Sequence, residues 1–356
     1  SLGRLEEVSI QVAGILGQPV PKVKHKVIIV AAADHGVVAE GVSAYPQQVT
    51  AQMVENFVAG GAAINVLARH VDARLLVVDA GVAAEVKPRV GLMSRSIGSG
   101  TANMARGPAM RREQAVAALE VGIAIVEQEL KKGADLFATG DMGIGNTTAA
   151  SAITAAVTGR PPAEVTGFGT GVTEEQRQRK AEVVRRALEV NRPNGQDGLD
   201  VLSKVGGFEI GVLAGVIVGA AAHRRPIVLD GFISGAAALI ACGLRPVIRE
   251  YLIAAHLSAE PGHRAVLEHL KLTPLLDLDM RLGEGTGAAL GLSIVEGAVK
   301  LLAEMATFAE ARVSGKVREG QAQGPAPTPS AGSGQASSAG PGQAPSAGSG
   351  QAPSEG

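Results

Sequence analysis

Ala134-Asp135-Leu136-Phe137-Ala138-Thr139-Gly140-Asp141-Met142-Gly143-Ile144-Gly145-Asn146-Thr147-Thr148 reads as a strand, a glycine turn and a helix start. The apolar run 136–139 delivers Asp141 to a turn in which Gly143 and Gly145 free backbone amides, and Asn146 or Thr147 can cap a helix over residues 147–157. The run is continuous rather than alternating, the mark of a strand buried on both faces. Similar runs at 27–30, 75–78, 227–229 and 251–254 are interleaved with helical patterns at 47–69, 112–132, 174–190, 207–222, 233–242 and 287–308. Continuous apolar strands separated by helices predict an α/β protein with a parallel sheet covered on both faces. The predicted strands lead to Asp34-His35, Asp79, Asp141, Asp230 and His256 with Ser258. Ligands of such sheets bind outside that edge, so these residues mark a rim.

Composition narrows the function classes. A 356-residue chain that is 46% hydrophobic can bury a large core, and a formal net charge of -1 offers no field for nucleic acid. With 2% aromatic residues and no Trp, the stacking platforms of single-strand binders are missing too. The longest uncharged apolar stretch, 210–222, is interrupted by glycines and falls short of the ~20 residues of a membrane span. It is expected to be a buried helix, and no membrane partner is expected. The single cysteine, Cys242, lies in an apolar run where a buried thiol is the better reading than a nucleophile. No disulfide can form within the chain, which fits a reducing, cytoplasmic compartment. The opening Ser1-Leu2-Gly3-Arg4-Leu5-Glu6 has no basic segment leading into an apolar one, so no signal peptide is read there. From about Val313 the chain turns to Gly, Pro, Ala, Ser and Gln, with Pro329-Ser330-Ala331-Gly332-Ser333-Gly334-Gln335 repeated at 345–351. A disordered, dispensable tail over 313–356 is expected.

Two further glycine loops share the pattern of the first. Gly167-Phe168-Gly169-Thr170-Gly171 leads into a helix whose start carries a Thr173/Gln176 capping box, with Lys180 about two turns in. Arg281-Leu282-Gly283-Glu284-Gly285-Thr286-Gly287 sets one carboxylate among glycines just ahead of the last helix. Glycine lets backbone approach a ligand and unpaired amides at helix starts favour anions, so three such loops point to one phosphorylated substrate in one cleft. Neither G-x-x-x-x-G-K-[ST] nor G-x-G-x-x-G is present, which favours a monophosphate over a nucleoside triphosphate or dinucleotide.

Several residues carry two readings. Glu284 is either a base held towards the ligand or a carboxylate complementing a helix dipole. The dipole would lower its pKa, and apolar neighbours such as Leu282 would raise it. Lys180 is either a phosphate ligand or solvated surface. Tyr45, Gln52 and Met53 are placed to wall a flat aromatic ligand, while Met53 and Phe57 stand equally at helical spacing for the core. The seven histidines form no H-E-x-x-H or Cys-His pattern. Asp34, His35 and His256 could gather round a metal but read better as hydrogen-bonded strand ends, so no metal is expected. Covalent acyl chemistry of the G-x-S-x-G type is not expected either.

Taken together, Ser1 to Glu6, Ala32-Ala33-Asp34-His35-Gly36-Val37, Ala59-Gly60-Gly61-Ala62-Ala63-Ile64-Asn65, the 141–148 segment, Gly169-Thr170-Gly171, Leu229-Asp230-Gly231-Phe232 and the 281–287 segment resemble the nicotinate-nucleotide:dimethylbenzimidazole phosphoribosyltransferase family. The match runs in order over residues 1 to about 310, which makes it specific. The fold expected with it is three-layer α/β/α with a mainly parallel sheet. A small helical subdomain from about 1–20 and 288–312 is expected within a catalytic domain over 1–312. The resemblance implies transfer of the 5-phosphoribosyl group of nicotinate mononucleotide to 5,6-dimethylbenzimidazole, giving α-ribazole 5'-phosphate and nicotinate, by a homodimer without a cofactor. Glu284 looks like the general base on the benzimidazole N–H. Gly143, Ile144, Gly145, Asn146 and Thr147, with Gly169, Thr170, Gly171, Lys180 and Ser258, look like the nucleotide site. Tyr45, Gln52, Met53, Met142 and Leu282 look like walls around the base, and Asp141, expected with Lys180 to join Glu284 among the catalytic residues, stands where many relatives carry the longer Glu. Nicotinate leaves from a pyridinium and needs no acid, so one carboxylate on the attacking side suffices, worth typically ~10²–10⁴-fold. The alternatives are a phosphoribosyltransferase with adenine or a phenol as acceptor, and a non-catalytic nucleotide-binding protein.

Overall fold

Lys26-Val27-Ile28-Ile29-Val30-Ala31-Ala32-Ala33 forms the first strand, β1 (Lys26–Ala33), and all of it is buried. In the computed structural model of the chain, which describes residues 2–169, 171 and 173–314, its side chains alternate between two cores. Val27, Ile29, Ala31 and Ala33 enter one and Ile28, Val30 and Ala32 the other, as the two-residue period demands. Five strands join it: β2 (Ala73–Gly81), β3 (Leu92–Ser94), β4 (Leu136–Met142), β5 (Ile227–Leu229) and β6 (Leu252–Ala254). The sheet is wholly parallel with order β3-β2-β1-β4-β5-β6. That order reverses direction between β1 and β4, and the reversal opens a crevice at their carboxyl ends. A separate short parallel pair, β7 (His256–Leu257) and β8 (Leu276–Asp277), follows.

The helices are α1 (Arg4–Leu16), α2 (Gln48–Ala59), α3 (Ala63–His70), α4 (Arg112–Leu130), α5 (Asn146–Thr158), α6 (Pro162–Val165), α7 (Glu174–Asn191), α8 (Gly198–Val205), α9 (Phe208–Ala222), α10 (Phe232–Leu244), α11 (Pro261–Leu270) and α12 (Thr286–Glu304). Residues of α4, α5, α8, α9 and α10 share a core with one face of the sheet, and those of α1, α2, α3 and α12 with the other. The three layers are therefore the expected α/β/α arrangement. The strand runs and the helical patterns at 112–132, 147–157, 174–190, 207–222 and 233–242 lie where the sequence places them. Helix α9 is buried almost all round, as its glycine-interrupted apolar stretch suggested.

Two helices depart from expectation. The pattern at 47–69 is two helices, because Gly60 takes a left-handed φ of 82° and ends α2. Asn65 then sews the joint, its side chain accepting the Ala62 N–H at 3.1 Å and donating to the Phe57 carbonyl at 2.9 Å. The last helix stops at Glu304 rather than 308. Helix α12 is, among the described residues, the one long and apolar enough to cross a membrane, yet half of it is buried inside the protein. It packs along α1 and also lies on β1, β4 and β5. Residues Ser1–Met305 form one unit. In the unit that starts at Ala306, residues 306–314 are exposed and make a turn in which Thr307 donates to Glu310; the rest of the expected tail lies outside the described residues.

Candidate active site

Strand β4 ends at Asp141-Met142, and the chain turns at once into α5. The side chains of Asn146 and Thr147 do not cap that helix: its N-cap is Gly145, at φ 95°, and the Asn146 amide instead donates to Asp141 Oδ2 at 2.9 Å. Ile144 N–H donates to Thr50 Oγ1 at 3.1 Å, tying this loop to α2. The second loop is held from two sides. Gly169 N–H donates to Glu260 Oε1 at 2.7 Å, and Arg281 donates to the Gly169 carbonyl at 2.8 Å. Arg281 belongs to the third loop, so the second and third are stitched together.

All three loops open on one cavity of about 670 Å³ at the carboxyl ends of β4 and β5. Tyr45, Val49, Met53, Met142 and Leu282 contribute apolar surface to its lining, and of these Tyr45 and Leu282 are exposed. Ile144, Asn146, Thr147, Gly169, Ser258 and Glu260 line it as well. So do the carboxylates of Asp141, Asp230 and Glu284 and the imidazole of His256.

Ionisation in this cavity is set by burial. Glu284 is 7% exposed, and its Oε2 has no hydrogen-bond partner among the described residues. Burial raises its pKa, the Ile64 N–H at the start of α3 opposes this, and the charge of Asp230 adds to the rise. Asp141 is raised well above an ordinary carboxylate by burial and then by the carboxylates of Asp230, Glu209 and Glu284, against its bond from Asn146. Asp230 is raised by burial too, with His256 and three backbone N–H groups opposing. Lys180 reaches in from α7, its Nζ 2.7 Å from Thr147 Oγ1; it is 1% exposed, and burial against the pull of Glu260 lowers its pKa to about 8. A solvated surface role for Lys180 is excluded by that burial.

A phosphoribosyltransferase family model matches residues 1–313. The chain is 61% identical over 317 residues to the nicotinate-nucleotide–dimethylbenzimidazole phosphoribosyltransferase of Roseiflexus castenholzii, covering 89% of this chain and 90% of that one. It belongs to the nicotinate-nucleotide–dimethylbenzimidazole phosphoribosyltransferase family. Another member, from Chloroflexus aggregans, is 60% identical over 316 residues, covering 89% and 90%. The crystal structure of CobT from Thermus thermophilus matches with a TM-score of 0.85 at 51% identity, covering 88% of this chain and 93% of that one.

Of the residues that the family resemblance nominated, Glu284, Asp141, Gly143, Ile144, Asn146, Thr147, Gly169, Ser258, Tyr45, Met53, Met142 and Leu282 line the cavity. Three do not. Gln52 is exposed, because Val49 and Met53, four residues apart on α2, take the cavity face and Gln52 is turned about 100° from Met53. Gly145 faces the other way, a Cβ on it meeting Val38 and His35. Gly171 is exposed, with open space where a Cβ would stand. Thr170 lies outside the described residues. Among the strand ends, Asp34 and Asp79 are spent on backbone N–H groups of Ala83, Gly81 and Val82, and His35 pairs with Glu209 at 2.7 Å behind the first loop. His256 lies 3.9 Å from Asp230, and no group of three or more His, Cys, Asp or Glu is gathered for a metal among the described residues. Cys242 is half-buried and its thiol is pushed up to about 12, which keeps it un-nucleophilic.

Val49, Asp230, Gly231, Phe232, Ile233, His256, Glu260, Arg281 and Gly283 also line the cavity without having been nominated for it. Asp230 and His256 were recognisable as polar strand ends. Glu260 carried no signal and Arg281 only that of belonging to the third loop, since what makes them part of the site is their approach to Gly169 across 91 and 112 residues.

Proposed function

We propose that this enzyme transfers the 5-phosphoribosyl group of nicotinate mononucleotide to 5,6-dimethylbenzimidazole, giving α-ribazole 5'-phosphate and nicotinate for the lower ligand of cobalamin. The observation that carries the assignment is Glu284: a carboxylate of raised pKa with one unpartnered oxygen, lining the same cavity as apolar side chains and two glycine loops. A base poised nearer neutral pH is what removal of the benzimidazole N–H requires. The donor phosphate is placed by Thr147, Gly169 and Ser258, where the positive start of α5 and the buried Lys180 ammonium bonded to Thr147 favour an anion. The flat acceptor lies against Met53, Met142 and Leu282. Holding phosphate at one end and ring at the other aligns the attacking nitrogen with the anomeric carbon, which inverts as the pyridinium departs. Asp141, a carboxylate lining the same cavity, stabilises the positive charge that develops on that carbon to the extent that it is ionised.

The enzyme is, on the same reading, a cytoplasmic homodimer, and sedimentation giving only a protomer-sized species would remove the dimer. The reaction is tested by mixing nicotinate mononucleotide with dimethylbenzimidazole and identifying the products by chromatography and NMR. Nicotinate and the α-linked ribotide are expected. Release of nicotinate with adenine or a phenol but not with dimethylbenzimidazole would reassign the acceptor. No release with any base would leave nucleotide binding alone.

A further inference from the structure

Gly283, Glu284 and Gly285 are left-handed in succession, with φ of 79°, 64° and 90°. Glycine adopts that region freely, but a glutamate keeps it only where its surroundings over-determine it. The helix that follows brings no cap of its own, since its N-cap is Gly285. We propose that Asp230, from the end of β5, is the positioning residue that clamps this turn and so aims Glu284 into the cavity. Its Oδ2 accepts the Gly285 N–H at 3.2 Å and its Oδ1 the Ala288 N–H at 2.9 Å, one bond on each side of the turn's exit into α12. The anchor is rigid: Asp230 is 1% exposed, and its own N–H donates to Thr139 Oγ1 of β4 at 3.4 Å. Packing completes the clamp. A Cβ on Gly140 would stand 2.6 Å from the Glu284 carbonyl oxygen, and one on Gly287 would stand 2.0 Å from the His256 ring, so β4 and β7 press on the turn from either side.

The same carboxylate adds to the electrostatic cost of ionising Glu284. The titratable groups around the pair are Asp141 from β4 and His256 from β7, with Glu209 from α9 acting on Asp141 from behind. Arg281, on the turn's own loop, is directed at the Gly169 carbonyl instead.

The inference rests on Glu284 being the base, and the test separates the two claims. Wild type, Glu284→Gln, Asp230→Asn and Asp230→Ala are compared by steady-state kinetics across pH, by calorimetric binding of nicotinate mononucleotide and by thermal melting. Asp230→Ala is expected to lower kcat about 100-fold, as an ångström of misplacement does, with nucleotide affinity within about threefold. Asp230→Asn keeps one acceptor for an N–H and loses the charge. Its loss of kcat is expected to be smaller, and the acid limb of kcat/KM is expected to move to lower pH, a shift that a merely structural role would not produce. Folded Asp230→Ala with kcat near wild type, or an unmoved limb in Asp230→Asn while Glu284→Gln is inactive, overturns the inference. Undiminished turnover in Glu284→Gln overturns the base assignment instead. Should Asp230→Ala fail to fold, the limb in Asp230→Asn decides.

Discussion

Glu284 is subject to two opposed influences, the positive end of a helix and loss of water, and burial prevails. The relevant helix end is partly a surprise. Besides standing ahead of α12, the carboxylate lies near the Ile64 N–H in the first turn of α3. Replacing Glu284 with Gln keeps the shape and removes the base. Turnover is expected to fall by ~10²–10⁴-fold with nucleotide affinity little changed, measured by single-turnover kinetics and calorimetry. Lys180 obeys the same rule with the opposite sign. Its ammonium, with a pKa of about 8 in the free protein, is progressively lost above that pH, so kcat/KM for nicotinate mononucleotide should fall on the alkaline side. Lys180→Arg, which stays charged, should lack that limb in a pH profile. In folding terms the pKa is depressed from 10.5 to about 8, so the unliganded protein gains stability from this group as pH rises across that window and loses it as pH falls back.

Helices α4 and α9 cross so closely that backbone touches backbone. A Cβ on Gly122 would stand 2.1 Å from the Val212 carbonyl oxygen, and one on Gly215 would stand 2.1 Å from that of Leu119. In an isolated helix Gly→Ala is favourable by about 1 kcal/mol, but here the contact is with main chain that cannot swing aside. Gly215→Ala is therefore expected to destabilise the protein, by a net of about 1–3 kcal/mol, in chemical denaturation. An unchanged or raised midpoint would show that the two helices have room to part. This contact was hidden in the sequence, where the glycines of 207–222 signal only burial. Element type was legible because strand and helix periods differ. The joint at Gly60 was missed because an amphipathic pattern can continue across a glycine that ends the helix, and α8 and α11 are too short for their period to stand out.

Across the whole molecule, the buried core and every residue lining the cavity belong to residues 1–305. Deleting the residues after Val313 is expected to leave melting temperature and turnover unchanged, and a large loss of either would assign the tail a role. By itself the sequence determined the layer architecture, the rim of polar strand ends and the three glycine loops, because hydrophobic period and glycine placement are local properties that a chain displays before it folds. Only the tertiary structure decided which of those residues share a cavity. Gln52, Gly145 and Gly171 turn away while Glu260 and Arg281 arrive from far along the chain, and burial set the ionisation of Glu284 and Lys180. Solvent exclusion and convergence of distant segments come from packing, which no window along the chain contains.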